Sequence, residues 1–313
     1  MILVLRALGI GDLATAVPAL RGLRRAFPDR TLALAAPRWL APLVELIGGI
    51  DQLVPVAGLD PYDWPVPPPY WAVNLHGRGP RSHGLLRAAH PAWLCAFRCA
   101  EAGHLEGPQW VDEEHEVARW CRLLRWYGIG SDPADLALRR PERDEALVGL
   151  TVVHPGGKEA RRRWPASRFA AVARELTSGG HRVVVTGAAA ERDLAGQVAA
   201  LAGLPPTAVL AGRTGLAELA ALVAGARLLV SADTGIGHLA TAYGTPSVLL
   251  FGPTSPARWG PPRERRRHRV LWYEILSHMR CYFGTHPALA AIDVDAVLAA
   301  AAEVEVSGAV TPQ

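Results

Sequence analysis

Short apolar runs alternate along the chain with longer stretches whose apolar positions recur every three or four residues. "ILVLRA" (2–7) is followed by "LATAVPALRGLRRAF" (13–27), "TLALAA" (31–36) and "LAPLVELIGG" (40–49). Brief apolar runs bounded by Gly, Pro or charge read as buried strands, and the periodic stretches read as amphipathic helices. Their alternation predicts a parallel sheet covered on both faces. A Pro-rich loop, "DPYDWPVPPPYW" (60–71), interrupts the pattern. It resumes with a strand, "WAVNLHG" (71–77), and a helix, "DEEHEVARWCRLLRWYGI" (112–129). "RRPERDEALVG" (139–149) is charged and lacks periodicity, which marks a linker.

The alternation then restarts. "LTVVHPGG" (150–157), "HRVVVTGA" (181–188), "TAVLAG" (207–212), "RLLVSAD" (227–233) and "SVLLFG" (247–252) read as strands. "PASRFAAVARELTSGG" (165–180), "AERDLAGQVAALAG" (190–203), "GLAELAALVAGA" (215–226) and "GIGHLATAYG" (235–244) read as helices between them. Two doubly wound α/β domains are therefore expected, over residues 1–145 and 146–313.

A length of 313 residues with 50% apolar and 20% charged positions fits a core-forming globular protein. The apolar run at the start stops at Arg6, too short for a signal-peptide core, and no run suits a membrane span. The expectation is a cytoplasmic protein, with peripheral contact to the inner membrane face left open. The four cysteines, Cys95, Cys99, Cys121 and Cys281, lack zinc-type spacing. Cys95 and Cys99 are expected as buried, reduced thiols on one helix face, with a metal site beside His90 and His104 the less favoured reading. Net charge is +4, and Lys158 is the lone lysine among 33 basic residues. "RRR" (161–163) and "RERRRHR" (263–269) could meet phosphate or anionic lipid, or simply be solvated surface charge. No nucleic-acid-binding signature is present.

Four loops follow predicted strands and carry chemistry. In "SADTGIGH" (231–238), Thr234 and Gly235 open a helix whose free N–H groups favour an anion, with Asp233 and His238 alongside. A plain N-capped turn would use the same residue types. "HPGGKEARRRWP" (154–165) offers the backbone of Gly156 and Gly157 with the charges of Lys158 and Arg162, although it is not a P-loop. Glu191, in "VTGAAAERDL" (185–194), could accept from ribose hydroxyls or sit as a favourable acid in a first helical turn. In "ALGIGDLATAVPAL" (7–20), Gly9, Gly11 and Ala14 form G-x-G-x-x-A, which suggests an NADP-dependent oxidoreductase with Arg38 toward a 2′-phosphate. Asp12 opposes that reading, because its charge would face the pyrophosphate. A carboxylate at such a turn suits a general base. His76, Arg78 and Arg81 follow a strand of the first half and are candidates for acceptor binding.

"DTGIGHLATAYGTPSVLLFGPTSPARWGP", "GDLATAVPAL" and "RRWPASRFAAVA" together resemble the ADP-heptose:lipopolysaccharide heptosyltransferases, glycosyltransferase family nine, in order and spacing over nearly the whole chain. The resemblance implies a GT-B fold, two Rossmann-like domains facing across a cleft, with the acceptor on the N-terminal domain and the donor on the C-terminal one. The C-terminal helix could pack back onto the N-terminal domain. It implies inverting, metal-independent transfer of a heptose-type sugar from an ADP donor to an acceptor hydroxyl. Another hexosyl or deoxysugar transfer is the alternative within the class. Asp12 matches the family's proposed base. Asp233, Thr234, Gly235 and His238 match its donor corner, Arg162 its phosphate-binding Lys, and Glu191 its nucleoside-contacting acid. Asn74 stands where the family commonly has Asp, and a Cys-rich run near the end is reduced to Cys281. The first departure bears on the acceptor side, and with the Arg-dominated composition the acceptor could be a secondary-metabolite intermediate in place of lipopolysaccharide.

Overall fold

In the computed structural model, which describes residues 1–142, 144–274 and 284–309, the last three as backbone, the chain divides into two compact units, Met1–Arg139 and Arg140–Gln313. Cys281 lies outside the described residues.

The first unit is built on a five-stranded parallel sheet in the order β3-β2-β1-β4-β5. Its strands are β1 (Ile2–Leu5), β2 (Leu32–Ala36), β3 (Gln52–Pro55), β4 (Trp71–Asn74) and β5 (Trp93–Cys95). Leu3 of β1 pairs with Ala33 on one side and Ala72 on the other, and every residue of β1 is buried. That is why β1 reads as an unbroken apolar run rather than an alternating one. The periodic stretch after β1 forms two helices, α1 (Ile10–Thr15) and α2 (Val17–Ala26), which share Ala16 as a cap. Pro18 accounts for the break: it has no N–H to give, and its ring excludes continuation of the preceding helical turn. Helices α3 (Ala41–Ile47), α4 (Arg81–Arg87) and α5 (Glu116–Trp126) complete the unit.

The second sheet, also parallel, runs β10-β9-β8-β6-β7. It comprises β6 (Leu150–His154), β7 (Arg182–Val185), β8 (Leu228–Ala232), β9 (Ser247–Leu250) and β10 (His268–Leu271). Its helices are α6 (Ala166–Ser178), α7 (Arg192–Ala202), α8 (Leu216–Gly225), α9 (Gly235–Tyr243), the short α10 (Pro256–Trp259) and α11 (Pro287–Ala290), and α12 (Val294–Ala309). Helix α12 packs on α6, β9 and β10 of its own unit, burying Val297, Ala301 and Val304 in that unit's core. Trp164, fully buried against Phe169, donates its indole N–H to Ile292 O at 3.1 Å and ties the 284–293 segment to the start of α6.

Three stretches depart from the sequence reading. "TAVLAG" forms a single bridge, Val209 to Val185, after a 3-10 turn at Pro206–Ala208. The consecutive prolines 205 and 206 bring no N–H to a ladder. Cys95 ends strand β5, and Cys99 precedes a 3-10 turn, so the two thiols do not share a helix face. Burial pushes the Cys95 thiol up, and among the described residues no His/Cys/Asp/Glu cluster suits a metal ion. The 263–269 basic stretch leads into β10. Arg265 donates to Thr241 O (2.7 Å) and Arg267 to Gly244 O (3.4 Å), where cations suit the negative C-terminal end of α9. Arg269 pairs with Glu303 at 2.7 Å. These arginines brace the fold, and none of the three is simply solvated charge. No helix among the described residues is long and apolar enough to cross a membrane.

Candidate functional site

Ligands of doubly wound sheets bind beyond the carboxyl ends of the strands. In the second unit, the exits of β6 and β8 meet there. Thr234 is the N-cap of α9 and Gly235 its first residue, but the Thr234 side chain makes no capping bond. Its hydroxyl instead lies 3.1 Å from Ser231 Oγ. Thr234 thus gives the first-turn N–H groups of α9 no side-chain cap, and the helix dipole points at whatever occupies the corner. Asp233 is 9% exposed and is held by Arg162, whose Nη2 donates to the Asp233 carboxylate at 2.6 Å and to its carbonyl at 2.9 Å. Burial pushes the Asp233 carboxyl up, and Arg162 pulls it back. His238 meets Trp259 edge-to-face at 5.9 Å. Asp233, Thr234, Gly237, His238 and Trp259 line one small pocket.

The Gly-rich loop adjoins this corner: a Cβ on Gly157 would lie 3.8 Å from Thr234 Cγ2. Its backbone is not simply bare for a phosphate. Gly157 N–H donates to Glu191 Oε1 at 2.7 Å, and Ala188 N–H donates to Glu191 Oε2 at 2.8 Å. A Cβ on Gly156 would run into that same carboxyl group. Gly156 is therefore needed to admit Glu191, and Glu191 clamps the Gly-rich loop to the turn after β7. Its remaining lone pairs stay available to a hydroxyl donor. His154, at the end of β6, bonds Thr186 Oγ1 through Nδ1 at 2.9 Å, and burial holds its pKa below the ordinary histidine value. Lys158 is exposed on the same loop.

The carboxyl edge of the first sheet carries the other candidates. Asp12 lies in the first turn of α1, 30% exposed at its side chain, and accepts from Gly9 N–H at 3.1 Å. This corrects the dinucleotide reading of Gly9, Gly11 and Ala14: the N–H and the space that a pyrophosphate needs are held by a carboxylate. His76 accepts Ala7 N–H on Nδ1 at 3.2 Å, and burial and the Arg6 charge bring its pKa to about 4. Buried Asn74 shapes the same loop, donating to Ser82 Oγ (2.9 Å) and Gly77 O (3.2 Å) and accepting His76 N–H at 3.0 Å. Arg78 is exposed, whereas Arg81 turns to Asp60 in the Pro-rich loop at 3.2 Å. Sequence reasoning missed Arg6, His154 and Trp259. For Arg6 a signal was present, a charge ending an otherwise buried strand.

Two units, each built on a five-stranded parallel sheet covered by helices, define an α/β protein of doubly wound, Rossmann-like type. Residues 108–283 match the family model of Glycosyltransferase family 9 (heptosyltransferase), and the chain belongs to that family of glycosyltransferases. The lipopolysaccharide heptosyltransferase 3 of Escherichia coli is 35% identical over 143 residues, and this match spans 42% of that protein and 44% of this chain. The lipopolysaccharide heptosyltransferase 2 of Salmonella typhimurium is 26% identical over 298 residues, 82% of this chain and 83% of that one. In fold, the chain is similar to E. coli ADP-heptose lps heptosyltransferase II, with a TM-score of 0.77 and 21% identity, covering 98% of this chain and 99% of that one. The fold class is accordingly α/β of the GT-B type. Nothing in these comparisons supports the oxidoreductase alternative.

Proposed function

We infer that the protein transfers a heptose-type sugar from an ADP-linked donor to an acceptor hydroxyl, with inversion at the anomeric carbon. The observation that carries this reading is the corner of the second unit, where the uncapped N-terminus of α9, Arg162, Asp233 and His238 converge. A pyrophosphate suits such a corner, and relatives named heptosyltransferases, one of them for ADP-heptose, support the sugar and the base. Donor binding then falls to Gly156, Gly157, Lys158, Arg162, Glu191, Asp233, Thr234, Gly235 and His238. The first unit takes the acceptor, with Asp12 as base and His76, Arg78 and Arg81 nearby on the same edge.

In the reaction, the acceptor oxygen forms a bond to the anomeric carbon as the bond to the ADP phosphate oxygen breaks. Asp12 receives the hydroxyl proton, and ADP leaves with the electron pair. Arg162, Lys158 and the N–H groups of α9 stabilise the charge building on the pyrophosphate, the role a metal ion fills elsewhere. The reaction is placed in the cytoplasm.

The test is ADP release from ADP-heptose in the presence of two acceptor sets, lipopolysaccharide core and small hydroxylated metabolites. Turnover with either, undiminished in excess EDTA, is the expected result. Failure to bind ADP, or loss of turnover on chelation with recovery on Mg²⁺, would refute the donor or the metal-independent part respectively.

A further inference from the structure

Arg6 is fully buried at the end of β1, where a charge is costly unless paired and hydrogen-bonded. Its guanidinium meets three separate segments. Nε donates to Asp12 O at 2.9 Å, and Nη2 reaches Thr15 Oγ1 at 3.3 Å and lies 3.6 Å from Asp12 Oδ1. Nη1 donates to Leu75 O, immediately before His76. Nη2 also donates to Glu116 Oε1 of α5 at 3.1 Å, and the cation lies 4.6 Å from the centroid of the Trp120 ring. Glu116 in turn accepts Trp120 Nε1–H at 3.0 Å and pairs with buried Arg119. Charges of alternating sign, Asp12, Arg6, Glu116 and Arg119, thus run from the sheet edge into the interior.

We propose that Arg6 is the positioning residue of this edge: one buried guanidinium fixes both the turn that carries Asp12 and the loop that carries His76, and sets the charge that both side chains face. The proposal rests on the reading of Asp12 as the acceptor-side base, but half of its test needs no turnover. Only a planar fork can hold Asp12 O, Leu75 O and Glu116 at once. An ammonium keeps the charge and loses the geometry.

The geometry also assigns His76 a protonation state. Its Nδ1 is an acceptor for Ala7 N–H, so its proton resides on Nε2. Arg6 and Asp12 are the charged groups that bear on the ring, Arg6 holding it neutral and Asp12 opposing. His76 therefore presents an N–H donor at the sheet edge, and its one basic nitrogen is already used.

Two variants separate positioning from folding. Arg6→Lys keeps the charge. Arg6→Met removes the guanidinium and leaves Glu116 its pair with Arg119 and its bond from Trp120, so that no buried ion is stranded. For each, one measures thermal unfolding, ADP affinity by calorimetry, kcat and KM, and the His76 titration by ¹⁵N NMR. Both variants should bind ADP within about twofold of wild type, because the donor groups are in the other unit. Both should lose at least about tenfold in kcat, since a small displacement of a reacting group costs that much or more. His76 should show the Nε2–H tautomer in wild type. Its titration should stay near 4 in Arg6→Lys and rise in Arg6→Met by part of the shift only, because burial, the larger cause, remains. Folded variants with wild-type kcat and an unmoved His76 would overturn the proposal. So would a wild-type His76 that carries its proton on Nδ1. If Asp12→Asn were itself neutral while His76 moved as stated, the base reading would fall and Arg6 would remain the group that positions the loop.

Discussion

Gly156→Ala tests why the loop after β6 is glycine-rich. Gly156 does not lie in the left-handed region, so the substitution brings no backbone strain, only a methyl group. That methyl group would occupy the space of the Glu191 carboxyl, which holds Gly157 N–H at 2.7 Å and Ala188 N–H at 2.8 Å. Hydrogen bonds to a charged group contribute about 1.5–3 kcal/mol each, and forced overpacking costs about 1–3 kcal/mol. Partial relaxation leaves an expected loss of about 2–3 kcal/mol, a drop of several degrees in Tm for a unit of this size. The assay is thermal unfolding with calorimetric ADP titration on Gly156→Ala, Glu191→Ala and the double variant. If Gly156 exists to admit Glu191, the double variant is no worse than Glu191→Ala, because the collision is gone. If the glycine instead admits a phosphate, the double variant loses further ADP affinity. Additive losses would refute the clamp.

The remaining predictions concern the two sheet edges and the interior. Asp233→Ala, which strands Arg162, and His238→Ala should each weaken ADP binding or turnover by about tenfold or more, about 1.4 kcal/mol; unchanged kinetics in both would remove the donor assignment. Asp12→Asn should lower kcat by about 10²- to 10⁴-fold with ADP affinity unchanged; retention of more than about a tenth of wild-type kcat would leave Asp12 only its bond to Gly9. Buried His268, bonded to Ser247 at 2.8 Å, has its pKa lowered from 6.5 to about 4. Unfolding lets it take up a proton near 6.5, so its contribution is complete above that pH and is lost as pH falls toward 4, up to about 3 kcal/mol. Urea unfolding of wild type and His268→Gln between pH 7 and 4.5 should show the gap between them close on acidification; a constant gap would contradict it.

Much of the fold was legible because buried parallel strands write themselves as apolar runs, as in Ile2–Leu5 and Leu228–Ala232. Strands β3 and β5 were not. Gln52–Pro55 has one buried residue and Trp93–Cys95 is three residues long, so neither carries a pattern of its own, and both are edge strands fixed by a neighbour. Strand β10 was hidden by its charges. His268 faces inward to Ser247, while Arg269 reaches outward to Glu303. Among candidate site residues, the corner at 233–238 was visible because polar groups crowd the end of an apolar strand just where a helix opens. The clamp of Glu191 on Gly157 was not, because it joins positions 34 residues apart and only the sheet brings them together.

Arginine shows where sequence reading reaches its limit. In a chain with a single lysine, the presence of Arg at a position says little; what decides its role is how many of its five donors are already taken. Arg6 spends four of its five donors on Asp12, Leu75, Thr15 and Glu116, and it is fully buried, so none of its fork faces a ligand. Arg265 and Arg267 are tied to carbonyls at the end of α9. Arg162 is different. Among the described residues, Nη2 alone makes its bonds, both of them to Asp233, and its side chain is 32% exposed. Its Nε and Nη1 make no bond among the described residues, while Nη2 keeps the buried carboxylate satisfied. A lysine there would have to share one ammonium between Asp233 and a phosphate. If the donor binds at this corner as proposed, the fork lets it arrive without breaking the pair with Asp233, which is a physical reason for an arginine at this position.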